Sequence, residues 1–336
     1  MRRIYTLITC MVLLISVSLL LTGVVFAAQV KEEKEEMAIE KVQPKKSLLP
    51  PGLSMRASVF GGYDSNVNLS PSRKGDAFEE VLISLGYSRA LFDKLSFSLN
   101  YDLDFLNYNR ITDASNLLNH FRVGLHQKFS FLRIGTGYDL AWVYYTHNDD
   151  DFIFNKAFAY IGQDINKNIY HQFQFEFGVK EYLKTKAIGL APGFYQDKER
   201  TDRRWSGIYT VDYKINHALA VGLRARFVRN DSNAIYQDFY DYRSYEGAPY
   251  LEYRMTGRLM LLTNFSYTRK NYYKRTVTLG PEREHDNLYA ARAGAKYKLN
   301  PNSSLSLNYV YRDNNSNEDL EEYIEHVISA GWQYKF

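Results

Sequence analysis

From Met55 to the end, the chain divides into segments of about 10 to 14 residues in which apolar and polar side chains alternate with a period of two. In 95–105, Leu95, Phe97, Leu99, Tyr101, Leu103 and Phe105 share one face, and Ser96, Ser98, Asn100, Asp102 and Asp104 share the other. Five polar residues in an unbroken row cannot all line a dry core. The same ladder recurs at Phe121/Val123/Leu125, at Phe173/Phe175/Phe177/Val179 and at Leu219/Val221/Leu223/Ala225/Phe227. The last segment sets Ile328, Ala330, Trp332, Tyr334 and Phe336 against Glu325, Ser329, Gly331, Gln333 and Lys335. One face of each strand therefore suits lipid and the other a wet interior.

The connections alternate in length. Short ones fall at 91–94, 130–131, 166–168, 215–218, 256–258 and 300–303, with the Asn, Asp, Gly and Pro content of tight turns. Longer polar ones fall near 65–76, 109–116, 147–153, 184–202, 231–242, 271–285 and 314–321. Counting between them predicts an all-β, antiparallel up-and-down transmembrane barrel over 55–336 with about fourteen strands, twelve being the alternative. The strands at 55–64, 154–165 and 243–255 are the most weakly marked, the last being interrupted by Pro249.

Upstream, Arg2 and Arg3 precede an apolar run to about Phe26 and a small-residue site at Ala27–Ala28. Residues 1–28 are expected to be a cleaved signal peptide for Sec export. The only cysteine, Cys10, lies inside it, so the mature chain carries no thiol. Residues 29–54 hold five Lys and five Glu and then Pro44, Pro50 and Pro51, which reads as a charged periplasmic tail.

Composition supports the barrel. Aromatics reach 15%, with 29 Tyr and 20 Phe, while mean hydropathy is −0.40. No apolar run after residue 28 approaches the ~20 residues of a membrane-spanning helix. Tyr and Trp cluster near segment ends, at Trp142/Tyr144/Tyr145, Trp205/Tyr209, Tyr272/Tyr273 and Trp332/Tyr334, the expected place for two interfacial girdles. Formal net charge is +4 and falls to +2 without the two leader arginines, so nucleic acid is not an expected partner.

Few motifs that carry chemistry occur in the chain. The seven His show no metal-ligand spacing, and neither a Gly-x-Ser-x-Gly elbow nor a phosphate-cradling glycine loop occurs. No catalytic residue, cofactor or metal is expected. Asp149–Asp150–Asp151 reads as a solvated loop rather than a cation site. By parity the interior carries Arg122, Lys128, Arg133, Lys180, Arg204, Lys214, Arg224, Arg226, Arg254, Arg292, Lys296 and Arg312. Facing them are Glu80, Asp102, Asp104, Asp139, Glu176, Asp212, Glu246 and Glu252. Two roles are open for the bases: an anion-selecting track, best represented by Arg224/Arg226 and Arg292/Lys296, or cross-links to acids on neighbouring strands.

Two stretches carry a resemblance. Trp332, Tyr334 and the terminal Phe336 resemble the signal that the barrel-assembly machinery reads in Gram-negative outer-membrane proteins. Tyr63–Asp64–Ser65–Asn66–Val67 resembles the opening of outer-membrane barrels associated with exopolysaccharide production and export, and also the barrel of surface lipoprotein assembly modifiers. The first resemblance implies a chain embedded in outer-membrane lipid. The second implies a passive conduit for an anionic extracellular polysaccharide, working with periplasmic export components. A general or anion-preferring porin and a lipoprotein-translocation barrel are the alternatives.

Overall fold

The structure, a computed structural model, describes residues 49–336 apart from Pro192. The leader and most of the charged tail lie outside the described residues. Pro50 and Gly52 form a turn into the first strand, with Gly52 at φ +86° and its carbonyl accepting the Ser88 N–H. A Cβ on Gly52 would lie 2.4 Å from the Ser88 carbonyl oxygen, so both its backbone conformation and its surroundings require glycine.

Fourteen strands follow: β1 (Leu53–Asp64), β2 (Asp76–Phe92), β3 (Leu95–Tyr108), β4 (Asn116–Lys128), β5 (Leu132–Tyr145), β6 (Phe152–Asp164) and β7 (Ile169–Ile188). The second half holds β8 (Tyr195–Lys214), β9 (Leu219–Ser232), β10 (Tyr242–Arg254), β11 (Leu259–Thr276), β12 (Arg283–Asn300), β13 (Ser303–Ser316) and β14 (Tyr323–Lys335). Each is antiparallel to its neighbours, and β1 pairs with β14 from Arg56↔Lys335 to Asp64↔Val327. Closure leaves no sheet edge, which is what a β structure needs in hydrocarbon. Fourteen strands, not twelve, close the sheet.

All three weakly marked strands form. Pro249 is accommodated inside β10 because the β10–β11 pairing skips Ala248 and Pro249, and the Asn264 side-chain amide donates to the Pro249 carbonyl at 3.3 Å. The short turns are closed by their own side chains. Asn166 Oδ1 accepts the N–H groups of Asn168 and Ile169, and Asn216 Oδ1 those of Ala218 and Leu219.

Two expected long loops are mostly strand. The loop expected at 184–202 shrinks to 189–194, and that expected at 271–285 to 277–282. Their polar residues continue the ladder, with Lys186 opposite Glu199 and paired to it at 2.5 Å. Beyond the lipid both faces of a strand are wet, so a polar sequence can still be strand.

Curvature identifies the inner face. Only on the concave side can side chains meet across an intervening strand. Asp64 of β1 accepts from Tyr108 of β3 at 3.1 Å, Glu176 of β7 pairs with Arg226 of β9 at 3.8 Å, and Lys296 of β12 donates to Gln333 of β14. The opposite parity is apolar and open, as at Val59, Ile161, Leu223, Leu307 and Ile328. Its ends carry exposed Tyr63, Trp142, Tyr144, Trp205 and Tyr245 on the loop side, and Tyr213, Tyr297, Trp332 and Phe336 on the turn side. Tyr145 and Tyr272 depart from the girdle expectation. The register turns both inward, and Tyr272 is buried.

Candidate functional site

The inner wall is the candidate site. Cross-strand register places Arg122, Arg133, Arg204, Arg224, Arg226, Arg254, Arg292 and Lys296 on the inner parity of their strands. Their environments divide into two kinds.

The first kind is cross-linked. Asp139 accepts from Arg122 at 2.9 Å and pairs with Lys156 at 2.9 Å; Lys156 reaches Glu176 at 3.2 Å, and Glu176 meets Arg226 at 3.8 Å. This ladder of alternating sign runs around the wall from β4 to β9. Its acids are nearly buried while its cations are partly wet, so each carboxylate is offset by two cations. Arg133 chelates Asp164, Arg254 pairs with Glu252 at 3.2 Å, and Arg312 pairs with Glu325. Lys296 bonds the neutral Gln333 instead.

The second kind, Lys180, Arg204, Arg224 and Arg292, makes no ion pair among the described residues, although Lys180 stands across from Asp202 and Arg204 donates to Asn230 Oδ1 at 3.3 Å. Arg204 and Arg224 both lie close enough to Arg226 to act on its charge. Along the axis Arg224, Arg226, Arg204 and Lys180 rise from the turn side toward the loops on β9, β8 and β7. Arg292 stands apart, in a recess of about 410 Å3 that Tyr250, Glu252, Asn264 and Asn308 also line.

Aromatic rings interleave with these cations, and alternation did not reveal them. β6 turns Phe152, Phe154, Phe158 and Tyr160 inward and Ile153, Ala157, Ala159 and Ile161 outward, so both faces are apolar and no polar row marks the lumen. Lys180 Nζ lies 3.6 Å from the Phe152 ring centre and 4.3 Å from that of Tyr182. The Arg204 guanidinium lies 5.6 Å over Phe154, Arg122 5.5 Å over Phe158, and Arg133 4.7 Å over Tyr170. The legible signal was the run of aromatics at even positions, with Phe158 and Tyr160 opposite Gly137 and Gly135 and Phe154 over Gly178 on the diagonal. A Cβ on Gly137 would meet the Phe158 ring at 2.5 Å, so the ring lies against the wall over that glycine.

At the loop-side mouth, segment 233–241 folds in over the rim. Tyr240 stacks on Arg200 of β8 at 3.3 Å, and Phe239 on Arg275 of β11 at 4.2 Å. Gln237 and Asp238 take left-handed conformations at φ 49° and 44° to make that bend, and Asp238 pairs with Lys274 at 2.6 Å. Burial, reinforced by the nearby Asp238, Asp231 and Asp202, pushes the Asp241 carboxyl up to about 6. The Thr278 N–H, donated to Glu318 at 2.6 Å, holds that carboxyl below its usual range. In the acidic run, Asp151 is buried, accepts the Tyr145 N–H at 2.7 Å and pairs with Lys184, whereas Asp149 is exposed. The run caps a loop, and no group of metal-ligating side chains occurs among the described residues.

The Tyr63–Val67 stretch fastens the barrel seam rather than lining the lumen. Tyr63 is exposed on the outer face, while Asp64 and Asn66 are buried. Asp64 accepts the Asn66 N–H at 2.8 Å. The Asn66 amide donates to Ser70 of the loop and to Ile324 of β14, Ser65 exchanges bonds with His326 of β14, and the Val67 N–H reaches Lys74. At the other end, the Phe336 N–H bonds Met55 of β1, Tyr334 packs edge-on to it at 4.9 Å, and the Trp332 indole donates to Ser303 at 2.7 Å.

Comparison with known proteins agrees with this architecture. The outer-membrane channel DcaP of Acinetobacter baumannii superposes with a TM-score of 0.51 at 10% identity, covering 88% of this chain and 100% of its own. Outer-membrane expressed OmpT of Vibrio cholerae gives 0.50 at 10% identity, covering 86% and 99%. At such identities the likeness is one of fold. No curated protein matches the sequence. The family model described as "Putative beta-barrel porin 2" matches residues 242–336, the five strands β10 to β14. The chain is therefore a closed, fourteen-stranded antiparallel β-barrel whose last five strands match that family model.

Proposed function

We propose that this barrel is a passive conduit for an anionic extracellular polysaccharide. The observation that carries the reading is the rising series Arg224, Arg226, Arg204 and Lys180, three of them without a carboxylate partner among the described residues, beside the inward rings of Phe152, Phe154 and Tyr182. A wall of low dielectric focuses the field of such cations into the lumen. Aromatic faces carry negative potential and attract the polarised C–H edges of a pyranose. Carboxylated sugars present both chemistries at once. An extended polymer can pass from cation to cation without occupying any one site tightly, which conduction requires.

The eight inward bases named from the sequence divide accordingly. Arg204, Arg224 and Arg292 contact the polymer, and Arg122, Arg133, Arg226 and Arg254 chiefly brace the wall. Lys296, hydrogen-bonded to Gln333, lies toward the turn end with Arg56 and Lys298 as neighbouring cations and forms the entry from the periplasm. Export components in the periplasm would deliver the chain there, after a Sec signal peptide over 1–28 and the assembly machinery's reading of Trp332, Tyr334 and Phe336 had placed the barrel. The charge ladder from Arg122 to Arg226 favours a second reading, a diffusion porin, because acids facing bases are what a weakly selective constriction contains.

Planar-bilayer conductance of the refolded protein separates the two. Anion-selective current blocked by added polyuronate supports the conduit, and Arg204→Ser with Arg224→Ser should reduce both selectivity and block. Weakly selective current indifferent to the polymer would replace the conduit by the porin.

A further inference from the structure

Four arginines stand on the outer, lipid-facing parity of four consecutive strands, all near the loop side: Arg203 on β8, Arg229 on β9, Arg243 on β10 and Arg269 on β11. Arg229 and Arg243 are direct cross-strand partners. Side chains so paired have Cβ atoms about 5 Å apart, and like charges there repel. The local acid is insufficient to offset them: among the described residues Arg229 pairs with Asp231 at 3.0 Å, but Arg243 bonds only the Tyr273 hydroxyl and Arg269 only the amide oxygens of Asn271 and Asn287. Arg203 makes no ion pair among the described residues and is exposed, as are Arg229 and Arg243.

Directly beneath this row lies the aromatic band. Two positions from Arg203, Arg229, Arg243 and Arg269 along their own strands, away from the loops and on the same face, stand Trp205, Phe227, Tyr245 and Tyr267, and Phe227 stacks on Tyr245 at 5.3 Å. Further toward the membrane centre the same face is Leu223 and Ala225. The vertical order is aliphatic, aromatic, cationic, which matches acyl chain, glycosidic head and phosphate in a lipid lying against the wall. A row of guanidinium forks suits phosphate oxygens bidentately, and bound phosphate would relieve the Arg229–Arg243 repulsion.

We propose that the outer face of β8–β11 is a binding site for a phosphorylated glycolipid of the outer leaflet. Its phosphates engage Arg203, Arg229, Arg243 and Arg269, and its acyl chains cover the Trp205/Phe227/Tyr245 band. The site faces away from the lumen and does not depend on what passes through it.

The test uses the refolded full chain in nonionic detergent, titrated with diphosphoryl lipid A while the unfolding midpoint is followed by heat-dependent gel mobility. Diphosphoryl lipid A should raise the midpoint. Arg229→Ser/Arg243→Ser should weaken the apparent affinity about tenfold, as expected for lost charge-assisted phosphate contacts. Arg89→Ser, on the outer face at the turn end, should leave it unchanged. Bilayer conductance of the double variant should match the parent, which shows that it folds and separates this site from the lumen. Equal affinity in the double variant and the parent overturns the proposal. So does an equal midpoint shift from inorganic phosphate at the same phosphate concentration, which would mark the row as a non-selective anion site.

Discussion

Asn66 shows how much one side chain can hold. Its amide has no exposure and bridges loop 65–75 to β14 through Ser70 and Ile324. Asn66→Ala would leave the half-buried Ser70 and Ile324 carbonyls without this donor and the Ser70 N–H without its acceptor, so it should cost about 1–3 kcal/mol, read as a lower denaturation midpoint in detergent and faster proteolysis of loop 65–75. Asp241 offers a pH-dependent counterpart at the mouth. Its folded pKa of about 6 exceeds the ordinary 3.8, so the folded chain binds more protons between those values. That contribution is fully present below the ordinary value and is lost as pH rises through about 6. Segment 233–241 should therefore exchange amide hydrogens more slowly, after correction for intrinsic rates, at about pH 5 than at about pH 7.5, and Asp241→Asn should remove that difference.

At the scale of elements, inward rings share the wall with inward glycines. Tyr250 of β10 lies over Gly222 of β9, where a Cβ would sit 2.2 Å from the ring, and its hydroxyl reaches Asp212 of β8. Gly222→Val should lift that ring into the lumen and break the bond to Asp212. The expected outcome is a smaller single-channel conductance with a loss of about 1–3 kcal/mol of stability from overpacking. The outward parity of β3, β4, β7 and β9 was legible because polar residues filled the other face. β6 was not, since aromatics on its inner face erase the alternation by which a lumen is recognised. The strand extensions at 184–188 and 195–202 were likewise hidden, because above the membrane polarity no longer distinguishes strand from loop.

For the whole molecule, closure depends on β1 meeting β14. Phe336 contributes the final backbone bond to Met55 and covers the turn-side girdle beside Tyr334. Phe336→Ser should lower the yield of heat-modifiable folded barrel in cells, while the conductance of those barrels that do form stays at the parent value.

Alternation along the chain determined the faces of most strands, the short turns, the even count near fourteen and the parity of every charge named for the interior, because period two is a local property of extended backbone; β6, with apolar residues on both faces, is the exception. Which charges meet was decided by register and curvature: Asp139 gathers Arg122 and Lys156, while Arg204 and Arg224 make no ion pair among the described residues. The same is true of the outer arginines, of which the first and last, Arg203 and Arg269, are 66 positions apart and which become one row only when β8 to β11 lie side by side. Interactions across strands depend on neighbours far away in sequence, and only the closed sheet brings them within reach.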